Sequence, residues 1–218
     1  MSIKAVLFDL DGTLIDSLPL IRYSFRKVFE DMGIPWDERR VMDTVGLPLR
    51  QVARDFAGDR ADAFFELYLA HQMKKHDQYI KLFPGTAEMM ARVKELGLRT
   101  GIVTSKRRVM AERAVKLVSI SQLVDVMVAL EDCGAHKPDP LPVTTALGLL
   151  GVLPGEALYV GDSWYDMESG NSAGVVTVGV TWGMADRPRL SRCNPGFIAG
   201  GWEEFLLYLE DMMSECEK

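Results

Sequence analysis

Ile3-Lys4-Ala5-Val6-Leu7-Phe8-Asp9-Leu10-Asp11-Gly12-Thr13, residues 3–13, is the stretch on which the fold turns. Ile3 to Phe8 is a short, largely apolar run that stops at two acids and a glycine, the pattern of a buried strand entering a turn. Alternate residues of extended chain point to one side, so Asp9 and Asp11 would crowd and repel unless a cation lies between them. A hard divalent ion with oxygen ligands, Mg2+ first among them, relieves that repulsion. The plainer account of the same residues is a solvated Asp-Gly turn, since both are common turn formers.

Outward from this strand, similar runs recur at Arg99 to Thr104, Asp125 to Leu130, Ala157 to Val160 and Val175 to Val180, with helical stretches at 86–96, 107–117, 140–150 and 164–173 between them. Alternating strands and helices predict an α/β protein, a doubly wound parallel sheet covered on both faces. Ser17 to about Lys81 breaks the alternation. There Leu18, Ile21, Phe25, Val28, Phe29 and Met32 form one helical stripe, and Phe64, Leu67, Tyr68 and His71 another. The expected organisation is a core of residues 1–15 and 83–218 with an all-helical insertion over 16–82. Gly33-Ile34-Pro35 ends a helix and Phe83-Pro84-Gly85 marks the return.

Three later segments carry polar groups at expected strand ends. In Val160-Gly161-Asp162-Ser163-Trp164-Tyr165-Asp166, Asp162 would project toward the first strand as a third carboxylate, with Asp166 one helical turn further on. Ser163 and Asp166 equally fit a helix capping box. Thr104-Ser105-Lys106 offers hydroxyls and free amides to an oxyanion, or simply an N-cap. Lys137, in His136-Lys137-Pro138-Asp139-Pro140, would neutralise a transferring phosphoryl group or stand solvated.

Composition bounds the alternatives. Over 218 residues, 48% are hydrophobic and 26% charged, which excludes a disordered or collagen-like chain. A net charge of −6 leaves no positive field for nucleic acid or an anionic membrane. Cys133, Cys193 and Cys216 are too few and too scattered for a disulfide framework. With no apolar run of signal or membrane-span length, a soluble cytoplasmic protein, monomer or homodimer, is expected.

Taken in order, Asp-x-Asp-Gly-Thr, a helical insertion, Thr104, Lys137 before a proline loop and Gly-Asp-x-x-x-Asp resemble the haloacid dehalogenase superfamily over nearly the whole chain. The insertion is similar to that family's C1 cap on a Rossmann-like core. Lys-Pro-Asp-Pro (137–140) and Gly-Val-Thr-Trp-Gly (179–183) are similar to its phosphoglycolate phosphatase and pyrophosphatase branches. The resemblance implies Asp9 as nucleophile forming an aspartyl-phosphate and Asp11 as general acid and base. It implies phosphate held by Thr104 and the Ser105 amide with Lys106 beside them, and charge stabilisation by Lys137. Mg2+ would be bound by Asp9, the Asp11 main-chain carbonyl and Asp162, supported by Asp166. Gly46 and Arg50 fall where the cap's specificity loop would face substrate, Arg50 reading a second anion or standing solvated.

The implied activity is a Mg2+-dependent phosphatase of a small phosphorylated metabolite, phosphoglycolate- or pyrophosphate-like. Haloacid chemistry is not expected, because Asp11 supplies a proton that a leaving halide does not need. A β-phosphoglucomutase-like mutase and a catalytically silent binding protein of the same fold are the alternatives. Thr13 after Gly12, where many such mutases have valine, favours hydrolysis, and the presence of Asp9, Asp11, Lys137 and Asp162 favours activity.

Overall fold

The computed structural model describes residues 2–215. The chain opens with β1 (Ala5–Phe8) and leaves through the two-residue β2 (Ile15–Asp16). It passes α1 (Leu18–Met32), α2 (Glu38–Met42), α3 (Leu49–Ala57) and α4 (Ala61–Tyr79), then returns through β3 (Lys81–Leu82), antiparallel to β2. Alternation follows: α5 (Thr86–Glu95), β4 (Arg99–Val103), α6 (Arg108–Leu117), β5 (Val126–Val128), α7 (Leu141–Leu150), β6 (Ala157–Gly161) and α8 (Trp164–Ala173). The chain closes with β7 (Val176–Val180), α9 (Arg187–Ser191), β8 (Phe197–Ala199) and α10 (Trp202–Glu215).

The main sheet has six parallel strands in the order β5-β4-β1-β6-β7-β8, as the alternation predicts. β1 is central, with Ala5 opposite both Arg99 of β4 and Ala157 of β6. Its four residues are fully buried and alternate between two cores. Val6 and Phe8 pack with residues of α5, α6 and α10, and Ala5 and Leu7 with residues of α7. Strand order diverges on either side of β1, and at such a switch point the carboxyl ends of open α/β sheets form a crevice.

Helices α1, α3 and α4 share a third apolar core of their own around Phe25, Val28, Phe29, Val52, Phe64 and Tyr68. Helix α1 ends at Gly33, whose φ of 65° completes a left-handed C-cap. The α4 stripe differs from the expected one. Its buried residues are Phe64, Phe65, Tyr68, Gln72 and His76, while Leu67 and His71 are only half-buried. The inward row steps mostly by four residues and takes two polar side chains inside near the return to the sheet, which hydropathy alone does not select.

Two further elements differ from expectation. β8 is a sixth strand of only three residues, and the β2–β3 pair spans two residues on each side; both are too short to carry a periodic signal. No helix among the described residues is long and apolar enough to cross a membrane.

Candidate active site

Three neighbouring strand ends build the site. The Asp9 N–H donates to the Val160 carbonyl (2.8 Å) and the Thr104 N–H to the Val128 carbonyl (2.9 Å), so each residue continues its strand by one ladder bond before the chain turns away. Asp162 follows β6 directly. Lys137 comes from the loop between β5 and α7, at a cis Lys137–Pro138 peptide.

Lys137 is the cationic centre. Its Nζ donates to Asp9 Oδ1 (2.7 Å), Asp166 Oδ1 (2.6 Å) and the Val103 carbonyl (3.4 Å), and the side chain is buried. Asp166 Oδ1 also accepts from the Tyr159 hydroxyl (2.9 Å), while Oδ2 accepts the Ser163 N–H (3.0 Å) and hydroxyl. Capping and site-building are therefore one arrangement here: the box that starts α8 fixes the carboxylate that aims Lys137. With both oxygens doubly engaged, Asp166 orients its neighbours.

Asp162 is held differently. Oδ1 accepts the Thr13 hydroxyl (3.3 Å) and Oδ2 the Met184 N–H (2.6 Å). A Cβ on Gly12 or Gly183 would collide with this carboxylate, and Gly12 also has φ +86°, so the turn after Asp11 needs glycine twice over. Oxygens of Asp9, Asp162 and Asp166 all lie within 4.8 Å of one another, and all three residues are buried.

Asp11 meets its charge elsewhere. Lys106 Nζ sits 2.7 and 3.0 Å from its two carboxylate oxygens, so Asp11 has an ammonium of its own, separate from the Lys137 that serves Asp9. Lys106, expected beside the phosphate, thus pairs with the candidate acid-base residue. Thr104 Oγ1 accepts the Lys106 N–H (3.1 Å), and Ser105 Oγ is buried with no hydrogen-bond partner among the described residues.

Charge is unbalanced at the cluster. Burial pushes the Asp9 carboxyl up to about 7, although the adjacent Lys137 pulls the other way. Burial, then the charges of Asp166 and Asp9, raises Asp162 well above the carboxylate range. Burial opposes the Lys137 charge, but Asp166 and Asp9 override it and hold the ammonium above its ordinary range. The donor set fits a hard divalent cation: clustered carboxylate oxygens, no sulfur, and more negative charge than one lysine offsets.

The cluster opens into a cavity of about 550 Å3 between the sheet edge and the four-helix segment. Gly46 and Arg50 both line it. Gly46 has φ +106° and lies against the Tyr165 ring, where a Cβ would stand 2.7 Å from Cδ2. Arg50 pairs with Asp62 (3.0 Å) and stacks over Phe65, its guanidinium carbon 4.2 Å from the ring centroid. Trp164 is 45% exposed on the Tyr165 ring and does not line the cavity.

Sequence reasoning missed Tyr159, the Met184 amide and the apolar wall of Phe65 and Tyr68. A lone hydroxyl inside an apolar strand was the available signal for Tyr159. A main-chain donor such as Met184 leaves no residue signature.

Comparison with known proteins agrees with this geometry. A family model described as haloacid dehalogenase-like hydrolase matches residues 6–180. A Caldanaerobacter subterraneus subsp. tengcongensis protein, provisionally named pyrophosphatase PpaX, is 42% identical over 93% of each chain. Pyrophosphatase PpaX of Bacillus velezensis is 35% identical over 90% of this chain and 91% of its own. The crystal structure of a predicted phosphoglycolate phosphatase from Haemophilus somnus 129pt superposes with a TM-score of 0.87 at 27% identity, covering 95% of this chain and 98% of that one. Family motifs, sheet order and site thus converge, and the chain belongs to the haloacid dehalogenase-like hydrolases, in their phosphatase branch.

Proposed function

We propose that this hydrolase is a Mg2+-dependent phosphatase that moves the phosphoryl group of a small phosphorylated metabolite first to Asp9 and then to water. The observation that carries the reading is Lys137 between Asp9 and Asp166 at the carboxyl end of the central strand. An ammonium there lowers the cost of bringing an anionic phosphoryl group onto a carboxylate. Asp9 is the acceptor, and the covalent step divides one difficult transfer into two. Asp11, in the same cavity, enters the first step protonated and gives that proton to the leaving oxygen; as the carboxylate held by Lys106 it then takes a proton from the attacking water. The Thr104 hydroxyl and the Ser105 N–H donate to the non-bridging oxygens.

Asp9, Asp162 and the main-chain carbonyl of Asp11 would hold the cation, with Asp166 bracing Lys137. When bound, the ion supplies charge neutralisation at the transferring group. The helices of residues 16–82 serve as a cap that excludes bulk water over the cavity. Names of the relatives put pyrophosphate and phosphoglycolate on the substrate panel.

The test is phosphate release with Mg2+ from a panel of phosphorylated compounds, alongside mass measurement of acid-quenched protein. Phosphorylated Asp9 in the wild type and no release by Asp9→Asn are expected. Undiminished turnover by a correctly folded Asp9→Asn would refute the assignment.

A further inference from the structure

Facing the carboxylate cluster across the cavity is a wall of Ile21, Phe25, Val52, Phe65, Tyr68 and Leu69, contributed by α1, α3 and α4. Met110 and Leu130 extend it on the sheet side. Among the described residues that line the cavity, each cationic side chain is already paired with an acid. Lys137 is on Asp9 and Asp166, Lys106 on Asp11, Arg107 on Glu131 and Arg50 on Asp62. Glu66 adds a further acid to the lining.

A doubly anionic substrate such as pyrophosphate or phosphoglycolate needs a second set of cationic donors beyond those holding the transferred group. This wall offers hydrocarbon instead. At about 550 Å3 the cavity lies in the range of sites that enclose organic ligands of roughly 300–1,000 Å3, more than two linked phosphates fill.

Resting on the phosphatase reading above, we infer that the preferred substrate is a phosphate monoester with an apolar body, aliphatic or aromatic, that docks on the Phe25-Phe65-Tyr68 wall. The phosphate end takes the charged floor, and binding energy comes from hydrocarbon burial remote from the reacting atom. Two residues are positioned to argue otherwise: Arg107, whose pair with Glu131 is exposed and which also lies over Phe65, and Arg50, whose pair with Asp62 is exposed and weak. Their position over Phe65 instead makes both part of the apolar rim.

The test uses full-length protein with Mg2+ and n-alkyl phosphates from ethyl to hexyl, plus 2-phenylethyl phosphate, with inorganic pyrophosphate and phosphoglycolate as comparators. The saturated alkyl esters have similar leaving groups, so a chain-length slope reads burial. The expected result is kcat/KM rising by about two- to fourfold per methylene, carried by KM, with hexyl and phenylethyl esters well above both dianionic comparators. Phe65→Ala should flatten that slope, and the wild-type slope decides alone if this variant does not fold. A flat or falling slope, an unaltered slope in folded Phe65→Ala, or pyrophosphate as the best substrate overturns the inference while leaving the phosphatase reading intact. Release from every probe that persists in Asp9→Asn overturns both.

Discussion

The Lys137 ammonium lies 2.7 Å from Asp9 Oδ1 across 128 positions of sequence. One buried cation thereby answers a cluster of three buried carboxylates, those of Asp9, Asp162 and Asp166. Removing it leaves Asp9 and Asp166 buried without their cation, Asp166 keeping only its neutral donors Tyr159 and Ser163. Lys137→Ala should lower kcat by about 10²–10³ and, as a broken buried ion pair, reduce stability by about 3–5 kcal/mol. Phosphate release and urea unfolding measure the two effects. Near wild-type kcat in the folded variant would remove Lys137 from the chemistry.

Asp162 gives a prediction of opposite sign for the metal-free protein. Its ionised form is disfavoured by burial and by Asp166 and Asp9, so Asp162→Asn should raise the Tm measured in EDTA. An asparagine can still accept from the Met184 N–H and face Thr13. Saturating Mg2+ should stabilise the wild type, by about 2.7 kcal/mol at a hundredfold excess over Kd, and leave Asp162→Asn unmoved. Equal Mg2+ shifts in both proteins would place the ion elsewhere.

How much of this was legible before the fold was known depended on the kind of signal. Val6, Leu7 and Phe8 ending at Asp9 announce a strand and its functional edge, because apolar run length and the acid stop are both local. The same held for β4, β6 and β7, whose expected ends lie within one residue of those observed. The Asp9–Lys137 and Asp11–Lys106 pairs were not legible from spacing, since they depend on which strands neighbour β1. Family resemblance supplied Lys137, but nothing in the residues anticipated that Lys106 would sit on Asp11. Tyr159 and Gln72 were missed for a shared reason: a polar side chain facing inward breaks the hydrophobic pattern that marks burial.

Gly46 tests the seat between the helical segment and α8. An alanine there must adopt φ near +106° and place its Cβ against the Tyr165 ring. The conformational part alone costs about 1–3 kcal/mol. Gly46→Ala should therefore lower kcat/KM with Asp9 and Lys137 intact. Tyr165→Ala in the same chain should recover only part of the loss, because it relieves the contact and not the φ. Complete recovery would assign the whole effect to the ring, and wild-type kinetics for Gly46→Ala would show that this loop does not bear on turnover.

His76, on the last turn of α4, makes stability depend on pH. Its ring is fully buried, Nδ1 lies 2.7 Å from Asp77 Oδ1, and Nε2 has no hydrogen-bond partner among the described residues. Burial, assisted by the charges of Lys106 and Arg113, holds the imidazole below its ordinary 6.5 despite the Asp77 contact. In the unfolded chain the ring takes up a proton as pH falls through 6.5, while in the folded chain it does so only at lower pH. Between those two values the unfolded state binds more protons, so folding stability is lost as pH falls below 6.5 and no such penalty exists above it. His76→Gln, which cannot titrate, should be less stable than wild type at pH 7.5, where the Asp77 contact is lost without compensation. The gap should narrow steadily toward pH 5.5. Thermal unfolding of both proteins across that range reads the difference directly, and parallel curves would mean that His76 ionises as readily in the folded protein as in the unfolded chain.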